Sequence, residues 1–266
     1  MRISTMSNAL QWVTIAVVAV AALIVTARPV SAAPCAFETQ GEGRVTAVID
    51  ARSFRLEDGR EVRLAGIEPA LPDKPDAAGT QPLAALLAGR DVRLGAEDDA
   101  PDRYGRQLAF VWLLPDERLV QRELLAQGEA IVSADISDKD CAASLLATEG
   151  TAREAKRGIW ADPAAIKNTE SPGDILAGIG RFMLVEGKVL SVRQAGATTY
   201  LNFGRNWTQD FAVTIPRQAL ANLAAGGLIP KSLENKRVRV RGFVEARSGP
   251  RIEVLRAGQI ELIRDK

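Results

Sequence analysis

The chain has 266 residues, enough for one large domain or two small ones that each bury a core. At 47% hydrophobic and 25% charged residues it has the composition of a globular protein, which excludes a wholly disordered chain. The net charge is +1 and histidine is absent, so Ser-His-Asp catalysis, Cys-His catalysis and His-ligated zinc are all excluded. A metal would need oxygen ligands, and a general base would be a carboxylate, lysine or tyrosine.

The first 32 residues have the order of a secretory leader. Arg2 precedes an apolar run from Trp12 to Val25, followed by the small residues Val30-Ser31-Ala32-Ala33, with cleavage expected after Ala32. That run falls short of the roughly 20 apolar residues a membrane-spanning helix needs. The expectation is a periplasmic or secreted protein with no stable membrane anchor after cleavage; the alternative is an uncleaved amino-terminal anchor. Two cysteines remain, Cys35 and Cys141, and in an oxidising compartment such a pair is expected to form a disulfide.

Beyond the leader, strands are predicted at Arg44–Asp50 and Ser53–Glu57. Asp58-Gly59 marks a tight turn into a strand at Glu61–Ile67. A Pro- and Asp-rich loop (Pro69–Pro75) leads to a helix near Gln81–Ala88, then strands at Asp91–Gly95 and Gln107–Leu114. Helices are predicted at Glu117–Gln127 and Lys139–Arg157, the second capped by Gly158. The polar stretch Asn168–Asp174 interrupts the pattern and suggests a linker over 163–175, dividing a domain at 33–162 from one at 176–266.

The second domain repeats the order. Strands are predicted at Leu184–Arg193, Thr198–Phe203 and Phe211–Ile215, then a helix from Pro216 to Ala225, then strands at Arg237–Ala246 and Arg251–Ile263. Five strands with a helix between the third and fourth is the order of an OB barrel. The predicted fold class is therefore mainly β with some α, as two tandem OB-type five-stranded barrels, the first with added C-terminal helices. Charge divides unevenly between them. Residues 175–266 carry 15 Lys+Arg against 7 Asp+Glu, leaving residues 33–174 at −9. A basic half suggests a polyanion partner; equally, the two halves could attract and dock on each other. Arg237, Arg239 and Arg241 alternate along one strand, and Tyr200 and Trp207 lie on a neighbouring strand and loop. Aromatics beside a cationic groove suit single-stranded nucleic acid.

Four ordered segments carry a resemblance. They are Val48-Ile49-Asp50, Arg63-Leu64-Ala65-Gly66-Ile67-Glu68, Asp102-Arg103-Tyr104-Gly105-Arg106 and Ala155-Lys156-Arg157-Gly158-Ile159-Trp160. Over Arg44–Trp160 their order and spacing resemble the staphylococcal nuclease (thermonuclease-like) family. The resemblance implies hydrolysis of phosphodiesters with one calcium, two carboxylate ligands, two arginines and a glutamate base. By position, Arg63 and Arg106 match the phosphate-binding arginines, so the implied catalytic set is Arg63, Arg106 and Glu68. Glu68 and the accessory Asp50 match metal-side carboxylates. The first metal ligand falls on Arg52 and the base on Leu71, though Asp73 or Asp76 could replace the base. With Arg52 where calcium would sit, Arg52, Arg63 and Arg106 would form a phosphate-binding pocket without a metal, calcium being needed only if hydrolysis persists. A rival is a structural pairing of Arg63 with Glu68 or Asp50. Three functions stay open: a binding module for nucleic acid or another polyanion, a calcium-dependent nuclease, and a periplasmic protein-interaction scaffold.

Overall fold

Alternating burial shapes the first barrel. Phe54 and Leu56, Val62 and Leu64, and Val92 and Leu94 point inward while the residues between them stay at least partly exposed. The computed structural model describes residue 1 and residues 35–263 apart from 71–76, 99 and 134. The leader, its cleavage site, Leu71, Asp73 and Asp76 lie outside the described residues. Among the described residues no helix is long and apolar enough to cross a membrane.

The first barrel uses β1 (Glu38–Asp50), β2 (Ser53–Leu56), β3 (Glu61–Leu64), β5 (Asp91–Ala96) and β6 (Gln107–Leu113), while β4 (Ile67–Pro69) leaves it after β3. β1 pairs with β5 through its first half and with β2 through its second, with register shifts between Val45 and Ala47 and between Val48 and Asp50. Such irregularities bend a strand and let one strand serve two sides of a barrel. The parallel β3–β6 pair closes the ring. α1 (Ala77–Leu87) lies between the third and fourth barrel strands. β7 (Arg118–Leu119), α2 (Val120–Gln127), β8 (Ala130–Val132) and α3 (Lys139–Glu154) follow the barrel.

The second barrel has the same strand order. After β9 (Ile166–Asn168) and α4 (Pro172–Leu176), β10 (Phe182–Lys188) and β11 (Ser191–Ala195) form one bent first strand. The predicted single strand Leu184–Arg193 is thus broken at Val189-Leu190. β12 (Thr198–Asn202), β13 (Ala212–Pro216), β14 (Arg237–Ala246) and β15 (Pro250–Glu253) complete the ring, with a parallel β13–β15 pair matching β3–β6. α5 (Leu220–Ala225) precedes β14, and β16 (Ile260–Leu262) pairs with its start.

Within the stretch expected to link the two barrels, Ile166–Asn168 adds a parallel strand to β10, and Ile166 packs with Ile131, Trp160 and Leu184. Gly158 is not the cap of α3, which ends at Glu154. It sits at φ 53° where a Cβ would lie 2.4 Å from the Gly128 carbonyl oxygen, so close backbone approach requires glycine.

Residues 33–266 cluster as one compact unit. The cluster of Ile131, Ala152, Trp160 and Leu184 joins side chains from both halves of the sequence. The Cys35–Cys141 disulfide is present and buried, with Cα atoms 4.4 Å apart, and it ties the start of the fold to the first turn of α3. There Asp138 caps the helix by accepting from the Cys141 amide at 2.6 Å.

Candidate anion-binding cleft

Three loops and strand ends of the first barrel converge on a cleft of about 430 Å³ lined by Arg52, Arg63, Glu68, Tyr104 and Arg106, with Phe243 of the second barrel at its edge. Arg52 sits in the turn between β1 and β2. Asp50 Oδ1 accepts its amide at 2.8 Å, and its own carbonyl accepts from the Leu64 amide at 2.8 Å. The side chain then reaches Glu68, forming an ion pair in which both groups are mostly buried, and also donates to the Ile67 carbonyl at 3.3 Å.

Glu68 lies on β4, held in register with Ile131 of β8. Burial raises its pKa above the ordinary 4.5; Arg52 opposes that rise and the Asp135 carboxylate adds to it. Arg106 comes from a tight turn organised by Asp102. That carboxylate accepts from the Tyr104 amide at 2.9 Å and the Arg106 amide at 3.0 Å, and pairs with the Arg106 guanidinium at 2.7 Å. Partial desolvation works against the Asp102 charge, but the Arg106 side chain and the two amides outweigh it and hold the carboxyl below its usual range. The exposed ring of Tyr104 contacts the guanidiniums of Arg103 and Arg106, which lie 4.8 and 5.0 Å from its centre. Arg63, half-buried on β3 and paired through its backbone with β2 and β6, has a guanidinium that makes no hydrogen bond or ion pair among the described residues.

The structure therefore brings Arg52, Arg63, Arg106 and Glu68 together. The expected structural pairing of Arg63 is absent among the described residues, and Arg52 is the arginine that holds Glu68. Asp50 does not line the cleft; its carboxylate is used in the turn. Calcium takes six to eight oxygen ligands. Of the cleft carboxylates, Glu68 is taken by Arg52, Asp102 by Arg106, and Asp135 accepts from the Ser133 hydroxyl. Among the described residues no three His, Cys, Asp or Glu side chains converge in a way that could hold a metal. The described donors do not suit calcium.

The basic strand of the second barrel is placed differently from the expectation. Arg237, Arg239 and Arg241 do share one face of β14, but Arg241 meets β8 and α3 and Arg239 is paired within its own barrel, so the three do not line an open groove. Arg241 is 1% exposed and pairs with Glu149 of α3 through its two terminal guanidinium nitrogens, at 2.9 and 3.0 Å. Arg239 pairs with Glu186 and, at 2.7 Å, with Glu261; burial alone would lower its pKa, but these two carboxylates raise it. Glu261 also accepts from Arg153 of α3 at 3.1 Å. Only Arg237 stays exposed. Tyr200 and Trp207 lie together elsewhere, in a pocket with Arg247 and Arg251 that the sequence reading did not identify. The signal available for those two was their position around the Ser248-Gly249 turn.

Residues 77–162 match the family described as staphylococcal nuclease homologue. The chain thus carries a staphylococcal-nuclease-like domain. The match takes in Arg106 and the helices that follow the barrel, while Arg52, Arg63 and Glu68 lie ahead of it in the sequence. A search of curated proteins found no match to the chain.

Proposed function

We propose that this is an exported protein that binds phosphate groups of nucleic acid or a related polyanion in the Arg52–Arg63–Arg106 cleft, without metal and without hydrolysis. The observation that carries this reading is the Arg52–Glu68 pair. A guanidinium already neutralises the carboxylate that would face a cation, and Arg63 stands unpaired beside it among the described residues. Guanidinium forks match phosphate oxygens in geometry and charge, so a phosphate entering the cleft gains charge-assisted hydrogen bonds from Arg63. Arg106 and Arg103, held around Tyr104, extend the cationic wall.

Export is supported by the leader-like first 32 residues and by the buried Cys35–Cys141 disulfide, a bond that persists in oxidising compartments. The test is fluorescence anisotropy of a labelled oligonucleotide at rising salt, comparing the wild type with Arg63→Ala. The reading expects binding that weakens steeply with salt and a shallower slope in the variant. Salt-independent binding, or an unchanged slope in the variant, would count against it.

A further inference from the structure

We infer that the second barrel carries a separate stacking site for single-stranded nucleic acid, built from Trp207, Tyr200, Arg247 and Arg251 and independent of the cleft in the first barrel. These four side chains line one pocket of about 150 Å³, with room for a single base rather than a duplex.

Trp207 is 72% exposed, an uncommon position for the largest apolar side chain. Its exposure does not come from a loose loop. The segment from Gly204 to Asp210 is bonded to itself: Asp210 Oδ2 accepts from the Asn206 amide at 2.7 Å, the Asn206 carbonyl accepts from the Asp210 amide at 2.8 Å, and Asn206 Oδ1 accepts from the Thr208 hydroxyl at 2.6 Å. Gly204 lies so close to Asp210 that a Cβ would fall 2.0 Å from its carboxylate. The loop thus presents an indole on a fixed support. Tyr200, half-buried on β12, adds a second ring, and Arg247 and Arg251 flank the β14–β15 turn. Neither arginine makes an ion pair among the described residues; Arg251 donates only to the Arg247 carbonyl.

An ordered, solvent-facing ring beside two guanidiniums that have no carboxylate partner among the described residues is matched to one repeating chemical unit, a flat base joined to a phosphate. Stacking needs a base face free of its neighbours, so the site discriminates against duplex. The strand face and the β14–β15 turn on which it lies belong to the part of an OB barrel suited to extended polymers.

The test uses the full chain with a labelled oligothymidylate and a duplex of equal length at low salt. Binding to the single strand should quench tryptophan emission. Trp207→Ala should weaken it about tenfold, Trp207→Phe should retain most of it, and Arg251→Ala should lower the salt slope by about 0.7. Arg63→Ala, in the cleft, should leave the quenching intact. Single-strand affinity unchanged in Trp207→Ala, or duplex bound as tightly as single strand, would overturn the inference while leaving the cleft reading standing. Loss of the salt-slope effect of Arg63→Ala alone would remove the cleft reading and leave this one.

Discussion

Arg241 of the second barrel and Glu149 of α3 grip the backbone of the same residue: Glu149 accepts from the Val132 amide at 2.7 Å, and Arg241 donates to the Val132 carbonyl at 3.0 Å. Val132 belongs to β8, whose other edge is paired to β4, the strand that carries Glu68. A buried ion pair between α3 and the second barrel therefore braces the strand that pairs with β4. Removing one partner of such a pair leaves an uncompensated buried charge. Glu149→Ala should lower unfolding free energy by about 3–5 kcal/mol in urea denaturation, and the double replacement Glu149→Leu, Arg241→Met should recover much of the loss.

Glu68 competes with any anion for Arg52. Glu68→Gln removes the negative charge and frees the guanidinium, so oligonucleotide affinity should rise several-fold in anisotropy titrations. The same logic sets a pH dependence. Because burial raises the Glu68 pKa above 4.5, the folded protein takes up this proton more readily than the unfolded chain, and the cost of keeping the carboxylate charged is relieved as pH falls through the raised value. Affinity should therefore increase from pH 7 toward pH 5, and the part of that increase due to Glu68 should vanish in Glu68→Gln.

In the proposed cleft Arg63 would contribute one phosphate contact, and its guanidinium has no structural partner among the described residues. Arg63→Ala should reduce the slope of log affinity against log salt by about 0.7–0.9 and leave the melting temperature within about 1 °C of the wild type. A large drop in melting temperature would instead make it a structural residue.

The Cys35–Cys141 bridge spans 106 residues of sequence and encloses the whole first barrel. In the chain-entropy account a loop of that length is worth about 4–5 kcal/mol, so reduction by dithiothreitol should shift the urea midpoint strongly downward. An unchanged midpoint would mean that the barrel core alone fixes the amino-terminal segment.

Much of the barrel architecture was legible because period-two burial and the Asp58-Gly59 and Ser248-Gly249 turns mark strands and hairpins directly. β9 was not, because three residues with a single apolar side chain carry no period. The cleft arginines were found through their motifs, yet which acid each would meet was not, since Arg52 and Glu68 lie on separate elements, the β1–β2 turn and β4, that only the fold brings together. The β14 arginines were placed correctly on one face, but sequence does not say what that face meets. A hint was present in α3: Cys141, Leu145, Glu149 and Ala152 follow one buried helical stripe, and a glutamate in such a stripe calls for a buried cation.

In the proposed cleft Arg52, and not a metal, neutralises Glu68. The most direct measurement is anisotropy and product analysis with one labelled oligonucleotide, run in parallel with added calcium and with chelator. The dissociation constant should be the same in both, and the oligonucleotide should stay intact throughout. Tighter binding with calcium, or cleavage that the chelator abolishes, would contradict it.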